Sequence, residues 1–366
     1  MKTYIVFDLE WNQSPDGRQG TVEAFPFEIL EIGAVKLDEE FRITDQFSRF
    51  IRPQVYRKLH HMISEVTHMS IEELNAEGVA FPEAAREFLA WCGPEAVFCT
   101  WGSMDLLELQ RNMRYYGMEA PFPKPLLYYD IQKLYGLFFK DGEKPSLDAA
   151  VEEQGLPMER PFHRALDDSY YTGLVLERMA GVLGADTFLP YVSVDYYRLP
   201  ESKAEEIRLT FPDYFKYVSR VFASKEDAMA DRNVTEIKCG QCGRTLRKKI
   251  RWFAQSQKMY FALAVCPEHG YVKGRIRIKK ADGDRVFVVK TLKHTDEEGA
   301  AQIRARKEEV KKKRAKRNRE KRKRQREEAM AAAAGGVKNT AVGVQNALAG
   351  GGKHRRRRRR KRKEGS

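Results

Sequence analysis

The sequence predicts an α/β layer fold with a mixed sheet, followed by a small β-rich section and a basic tail. Three observations predict it. The apolar run Tyr4 to Phe7 reads as a buried central strand. Strand-like segments in the first part give way to alternation with helix-like ones up to residue 182. Beyond residue 236, Cys and His residues at metal-like spacing bracket further β-rich runs.

The elements follow in order. Glu28–Leu37 and Phe41–Ile51 read as strands separated by the turn-like Asp38-Glu39-Glu40. Ser70–Asn75 and Pro82–Cys92 have helical character, with Pro82 in a first turn where its missing N–H does no harm. Ala96–Trp101 is another apolar strand, and Ser103 is expected to cap a helix reaching Tyr116. Leu126–Asp130 reads as a strand end or the start of a helix. Ser146–Gln154 and Arg164–Val182 read as helices, with Ser146 as a cap. Residues 1–185 thus form one large unit. Residues 186–236, crowded with aromatics such as Tyr191, Tyr214 and Phe222 and broken by Pro190, Pro200 and Pro212, read as a bridging extension. Residues 237–294 carry strand-like runs at Thr245–Arg251, Met259–Val265, Tyr271–Lys279 and Arg285–Thr291. Residues 295–366 form a basic low-complexity tail, largely disordered by itself, with a transient helix over 300–334 and six consecutive arginines at 355–360.

The net charge of +14 is unevenly spread. Residues 1–185 hold 18 Lys+Arg against 30 Asp+Glu, a balance of −12. Residues 237–294 hold 15 against 3, and residues 304–366 hold 26 against 6, balances of +12 and +20. An acidic body with basic attachments separates chemistry from polyanion grip along the chain. There is no run of 18 apolar residues, so no membrane span is expected. Asp8 and Glu10 interrupt the apolar N-terminus too early for a secretory segment. Five cysteines, three at metal-like spacing, fit a reducing compartment, and the expected location is cytoplasmic.

The candidate chemistry lies in three acidic features. Asp8-Leu9-Glu10 ends the buried strand, and residues i and i+2 of a strand share a face, so the two carboxylates converge and repel unless a cation sits between them. Asp105 follows an apolar strand and the Gly102 turn, at the start of a helix, where an acid also complements the helix dipole. His163 and Asp168 close the set. On one helix, five residues place side chains about 140° apart, so these two meet only if His163 lies in the loop and Asp168 one turn inside the helix. Pro161 favours that boundary. Asp167 reads as a first-turn structural acid. His60, His61 and His68 read as surface residues, Asn12 as a neighbour of a bound end group, and Trp11 equally as such a neighbour or as core packing.

Taken together, Phe7-Asp8-Leu9-Glu10, Trp101-Gly102-Ser103-Met104-Asp105 and His163-Arg164-Ala165-Leu166-Asp167-Asp168 resemble the DEDDh 3′→5′ exonucleases over residues 1–182, in identity, order and spacing. Their contexts look closest to the Eri-type and sporulation-inhibitor-type branch; proofreading exonuclease subunits and RNase T share the frame. The resemblance implies an RNase H-like fold and a phosphodiester hydrolase. It implies that Asp8, Glu10, Asp105 and Asp168 hold two Mg²⁺ or Mn²⁺ ions and that neutral His163 takes a proton from the attacking water. Hard oxygen ligands suit these cations. RNA is the favoured substrate because the closest motif contexts belong to exoribonucleases; the alternatives are a DNA proofreading or repair exonuclease and a non-catalytic nucleic-acid-binding adaptor.

Cys239-x2-Cys242 and, 23 residues later, Cys266-x2-His269 form a four-ligand set with glycines beside the ligands at Gly240, Gly243 and Gly270. Soft thiolates with one imidazole select tetrahedral Zn²⁺, and four protein ligands make a closed structural site, similar to a zinc ribbon. A section this short lacks core, so the metal is expected to supply folding energy. Arg247, Lys248, Lys249, Arg251, Arg275, Arg277, Lys279 and Lys280 are candidate phosphate partners, and the basic tail is expected to bind nucleic acid without reading its sequence.

Overall fold

The structure is a computed structural model that describes residues 2–343, with side chains described up to residue 330. The opening apolar run extends into a long strand, β1 (Thr3–Gln13). It lies between two partners: β2 (Phe27–Leu37), antiparallel to it, and β4, parallel to it. β3 (Ile43–Phe50) pairs antiparallel on the far side of β2. Helices α1 (His61–Thr67), α2 (Ile71–Glu77) and α3 (Phe81–Cys92) lead to β4 (Ala96–Thr100). α4 (Met104–Tyr115) then leads to β5 (Leu127–Asp130), parallel to β4. After α5 (Ile131–Phe139), α6 (Leu147–Glu153), α7 (Ala165–Leu183) and α8 (Ala185–Phe188), the short β6 (Ser193–Val194) closes the sheet antiparallel to β5. The order is β3-β2-β1-β4-β5-β6, a mixed sheet.

Strand alternation sorts the core. Ile5, Phe7 and Leu9 pack with Phe88 of α3 and Leu106, Leu109 and Met113 of α4. Tyr4 and Val6 face the other way, onto Tyr171, Val175 and Leu176 of α7. Helices therefore cover both faces, the RNase H-like arrangement expected. Ser103 and Ser146 do stand at helix N-caps, but neither side chain makes the expected capping bond. Ser70 does cap α2, accepting from the Glu73 N–H.

Residues 186–236 are shared between two sheets. β6 belongs to the first. β7 (Ile207–Thr210) and β8 (Tyr214–Val218) join a second sheet, ordered β7-β8-β12-β11-β10-β9. Its other strands follow α9 (Lys225–Ala230) and α10 (Arg232–Thr235): β9 (Arg247–Ala254), β10 (Met259–Cys266), β11 (Gly270–Lys280) and β12 (Val286–Thr295). Every pairing in this sheet is antiparallel. It has a larger core than its short cysteine-bracketed section implies. Ala228 and Val234 cover one face and Ala300 and Ile303 the other. The last two open α11 (Glu297–Gly343), a helix beyond whose residue 310 every described side chain is exposed. The arginine run at 355–360 lies outside the described residues. No helix among the described residues is long and apolar enough to cross a membrane.

Candidate functional site

Asp8 and Glu10 continue the face of β1 that packs on α7, at the end of the strand where the apolar contacts stop. The β1–β2 register shifts between Glu10 and Trp11, so a bulge ends the regular ladder immediately after the second acid. α7 brings the third carboxylate. The carboxylate oxygens of Asp8, Glu10 and Asp168 lie within 4.8 Å of one another. Asp105 stands in the first turn of α4, buried, and of the neighbouring charges its own acts most strongly on Asp8.

The sequence dictates how α7 comes so close. Gly33 on β2 is the register partner of Asp8. A Cβ built at Gly33 would lie 2.0 Å from the backbone of Ala165 and Leu166, so only glycine lets the first turn of α7 sit on the sheet beside Asp8. Glu31, opposite Glu10 and buried, fixes the same turn. It accepts from Arg164 Nε at 3.1 Å and from the Ala165 N–H at 3.3 Å. Glu31, Gly33 and Arg164 were missed as positioning residues. Their signal was a glutamate and a glycine inside the apolar run of β2: a buried charge requires a partner, and a strand glycine marks close backbone approach.

His163 lies in the loop before α7, with a left-handed φ of 68°. Its main-chain N–H donates to both oxygens of Asp168, at 3.3 and 3.2 Å. The loop-then-helix arrangement thus joins the two residues through the backbone. The imidazole is exposed to solvent. Asp167 turns away and pairs with Arg160 at 3.1 Å. Asn12 is a correction: fully buried, it donates to the carbonyls of Tyr56 and Lys58 and accepts from the His60 N–H, so it anchors a loop and cannot border a ligand. Trp11 is half-buried and packs near Phe27. His60 is also not a surface residue; its ring stacks on His61 and its buried Nδ1 has no partner.

Crowding four acids has a measurable consequence. Burial, then the charges of its neighbours, hold Asp8 well above the ordinary carboxylate range. Burial and the charges of Asp168 and Glu31 push Glu10 up to about 8. Burial raises Asp105 to about 7 against the opposing N–H donors, and burial raises Asp168 to about 7. Each acid resists ionising beside the others, and Arg164 is engaged by Glu31. The donor set is all hard oxygen with an excess of negative charge, which fits divalent cations such as Mg²⁺ or Mn²⁺.

A second cluster lies in the second sheet. Ligand atoms of Cys239, Cys242, Cys266 and His269 fall within 4.8 Å of one another. Cys239 Sγ is 3.5 Å from His269 Nδ1, and Cys242 and Cys266 sulfurs are 3.7 Å apart. Desolvation works against the Cys266 thiolate, but the N–H groups of Glu268 and His269 and the His269 ring bring it down to about 6. His294 was not foreseen: its Nε2 lies 3.6 Å from Cys239 Sγ.

A mixed sheet with carboxylates converging at the ends of its strands defines a metal-dependent nuclease of RNase H-like architecture. Residues 5–176 match the family model RNase_T, described as Exonuclease. Among solved structures, the nuclease domain of 3′hExo, described as a DEDDh family member bound to rAMP, is 22% identical and aligns over 53% of this chain and 96% of its own, with a TM-score of 0.43. A full-length 3′-exonuclease is 23% identical over 49% and 82%, with a TM-score of 0.42. An E. coli ExoI–ssDNA complex is 13% identical over 72% and 54%, with a TM-score of 0.44. No curated protein matches the sequence.

Proposed function

We propose that this chain removes nucleotides from the 3′ ends of nucleic acid, RNA by preference, at the pocket formed by Asp8, Glu10, Asp105, Asp168 and His163. The observation that carries this reading is the approach of the Asp8, Glu10 and Asp168 carboxylates to within 4.8 Å, with Asp105 buried close enough for its charge to raise Asp8. Two bound divalent ions would supply charge neutralisation at the phosphate and a more acidic water. Asp8, Glu10, Asp105 and Asp168 are the residues to hold them. His163 is the proton acceptor: its main-chain N–H is bonded to Asp168, and its ring is exposed to solvent. It must be neutral to act, so activity is expected to rise toward alkaline pH. The preference for RNA rests on the His-Arg-Ala-Leu-Asp-Asp and Trp-Gly contexts, which resemble the Eri-type branch.

Cys239, Cys242, Cys266 and His269 would hold one structural Zn²⁺, joining the loop before β9 to the β10–β11 turn. The basic helix and tail add sequence-independent affinity for the polyanion. The test is hydrolysis of 3′-labelled RNA and DNA with Mn²⁺ and then EDTA, using Asp8→Ala as the control. Mn²⁺-dependent mononucleotide release, faster on RNA and lost in the variant, is expected. Equal rates on both polymers would remove the RNA preference. No release from either would remove the function.

A further inference from the structure

β11 alternates strictly. Val272, Gly274, Ile276 and Ile278 are buried, whereas Lys273, Arg275, Arg277 and Lys279 occupy the other face. Strand register places Thr291 of β12 beside Arg275 and Lys216 of β8 beside Thr291, so the lysine extends the same face. Apolar contacts cover that face at both ends. Ala300 and Ile303 of α11 cover Ile250, Phe261 and Leu263, and Val194 of β6 packs with Ile207, Val218 and Val289. Between the two covers runs a strip of five cations.

Nearby ion pairs consume other groups: Lys293 with Asp213, Arg208 and Arg220 with Glu206, Arg244 with Glu268. Among the described residues no carboxylate forms an ion pair with Lys216, Lys273, Arg275, Arg277 or Lys279. Burial, with Lys133, Lys279 and Arg275 as like charges, brings Lys216 down to about 7. Arg275 and Lys279 are also lowered, by burial first and then by Arg277. A row of mutually repelling cations, Lys216, Lys273 and Arg275 half-buried and Arg277 and Lys279 exposed, is a site awaiting an extended anion. Aromatic faces accompany it: Tyr214 stacks on Phe211 at 4.3 Å, and Lys279 lies 4.2 Å from the Tyr196 ring.

The strip also points somewhere. Lys133, whose charge Lys216 senses, stands in the first turn of α5, directly after β5. β5 and β4 are parallel, with Asp130 opposite Thr100, and Asp105 follows β4 within one turn. The Lys216 end of the strip therefore lies toward the C-terminal ends of β4 and β5, the end of the first sheet at which Asp105 stands.

We propose that the basic face of β11 and β8 is a binding channel for a single strand of nucleic acid, which holds the strand upstream of the acid pocket by its phosphates and stacks its bases on the bordering aromatics. This rests on the exonuclease reading and adds to it the path of the uncleaved strand. The experiment is fluorescence anisotropy in EDTA, on the full chain, with 5′-labelled oligo(U) and oligo(dT) of about 20 nucleotides and about 4 nucleotides. Arg277→Glu/Lys279→Glu is compared with Lys203→Glu/Lys258→Glu, which makes the same charge change at exposed positions off the strip. The strip variant is expected to weaken long-strand binding at least about tenfold and to reduce the salt slope by about 1.4, two contacts at about 0.7 each. The smaller oligonucleotide should lose less, and the control less than about twofold. Equal losses in the two variants, or none in either, would overturn the channel. The sugar is decided by the two polymers: equal losses mean backbone recognition alone. If the glutamate variant does not fold, the glutamine pair is read against the same control. Wild-type failure to cleave with Mn²⁺ would refute the exonuclease reading and leave the binding comparison standing.

Discussion

Removing the metal from this pocket turns its acids into a pH-dependent liability. Take the protein in EDTA and raise the pH from 5 to 8.5. Glu10 has an ordinary value of 4.5 and is held at about 8 in the fold. Between those values the folded chain keeps a proton that the unfolded chain has lost. The native state then binds more protons than the unfolded one, and stability falls as pH rises. Full ionisation of Glu10 alone corresponds to about 5 kcal/mol. The pocket is open enough for water to relax part of this, so about 2–3 kcal/mol is a conservative figure for Glu10 with its neighbours in place. For a unit of this size, about 2–4 °C per kcal/mol gives a fall of about 5–10 °C in melting temperature.

Buried Glu108 and Asp195 are also raised and slope the same way, but they lie outside the acid cluster. The diagnostic is therefore the difference between metal-free and metal-loaded protein. Mn²⁺ should restore several degrees at pH 8.5 and almost none at pH 5. Differential scanning calorimetry at five pH values, with and without Mn²⁺, measures it; Asp8→Asn, which deletes one of the crowded charges, should flatten the metal-free slope. A metal-free melting temperature that stays level or rises over this range would refute the reasoning, because it would mean the acids do not repel one another in the fold.

Other outcomes follow from single contacts. Gly33→Ala must push the first turn of α7 off β2, and a displacement of about 1 Å at Asp168 should cost about 100-fold in kcat/KM, read in the Mn²⁺-dependent nuclease assay. His163→Ala should lower kcat by about 10²–10⁴ with little change in KM, since it touches the proton and not the metal or the phosphate grip. Glu31→Gln leaves Arg164 without its charge partner and should lower both activity and melting temperature; an unchanged melting temperature would show that α7 is held mainly by the sheet. Cys239→Ser should abolish one bound zinc per chain by elemental analysis. Its effect on far-UV circular dichroism should be partial, because the second sheet has clusters of its own around Val234 and Ile276.

The first sheet was legible because its signals are local. Apolar strands, the Asp-x-Glu pair on one face and the Pro161-bounded start of α7 can each be read within a few residues. Legibility failed where partners are distant in sequence. Glu28 looks like an ordinary strand acid, yet it accepts the N–H groups of Gln54, Val55 and Tyr56 and organises a loop 26 to 28 residues away. The second sheet was only half visible for the same reason. Its register needs β7 and β8, which precede the cysteines, and the segment holding them reads as irregular because prolines break its apolar pattern.

The same distance explains the role of Gly33. A glycine in a strand weakens it by removing a side chain that could pack, so this position carries a local cost that something elsewhere must offset. The offset is the contact with Ala165 and Leu166, 132 residues further on, and that contact is what delivers Asp168 to Asp8. Any larger side chain would improve the strand and separate the acids. The pocket thus depends on a residue with no chemistry of its own, and its local weakness is the condition for the close approach that the chemistry requires.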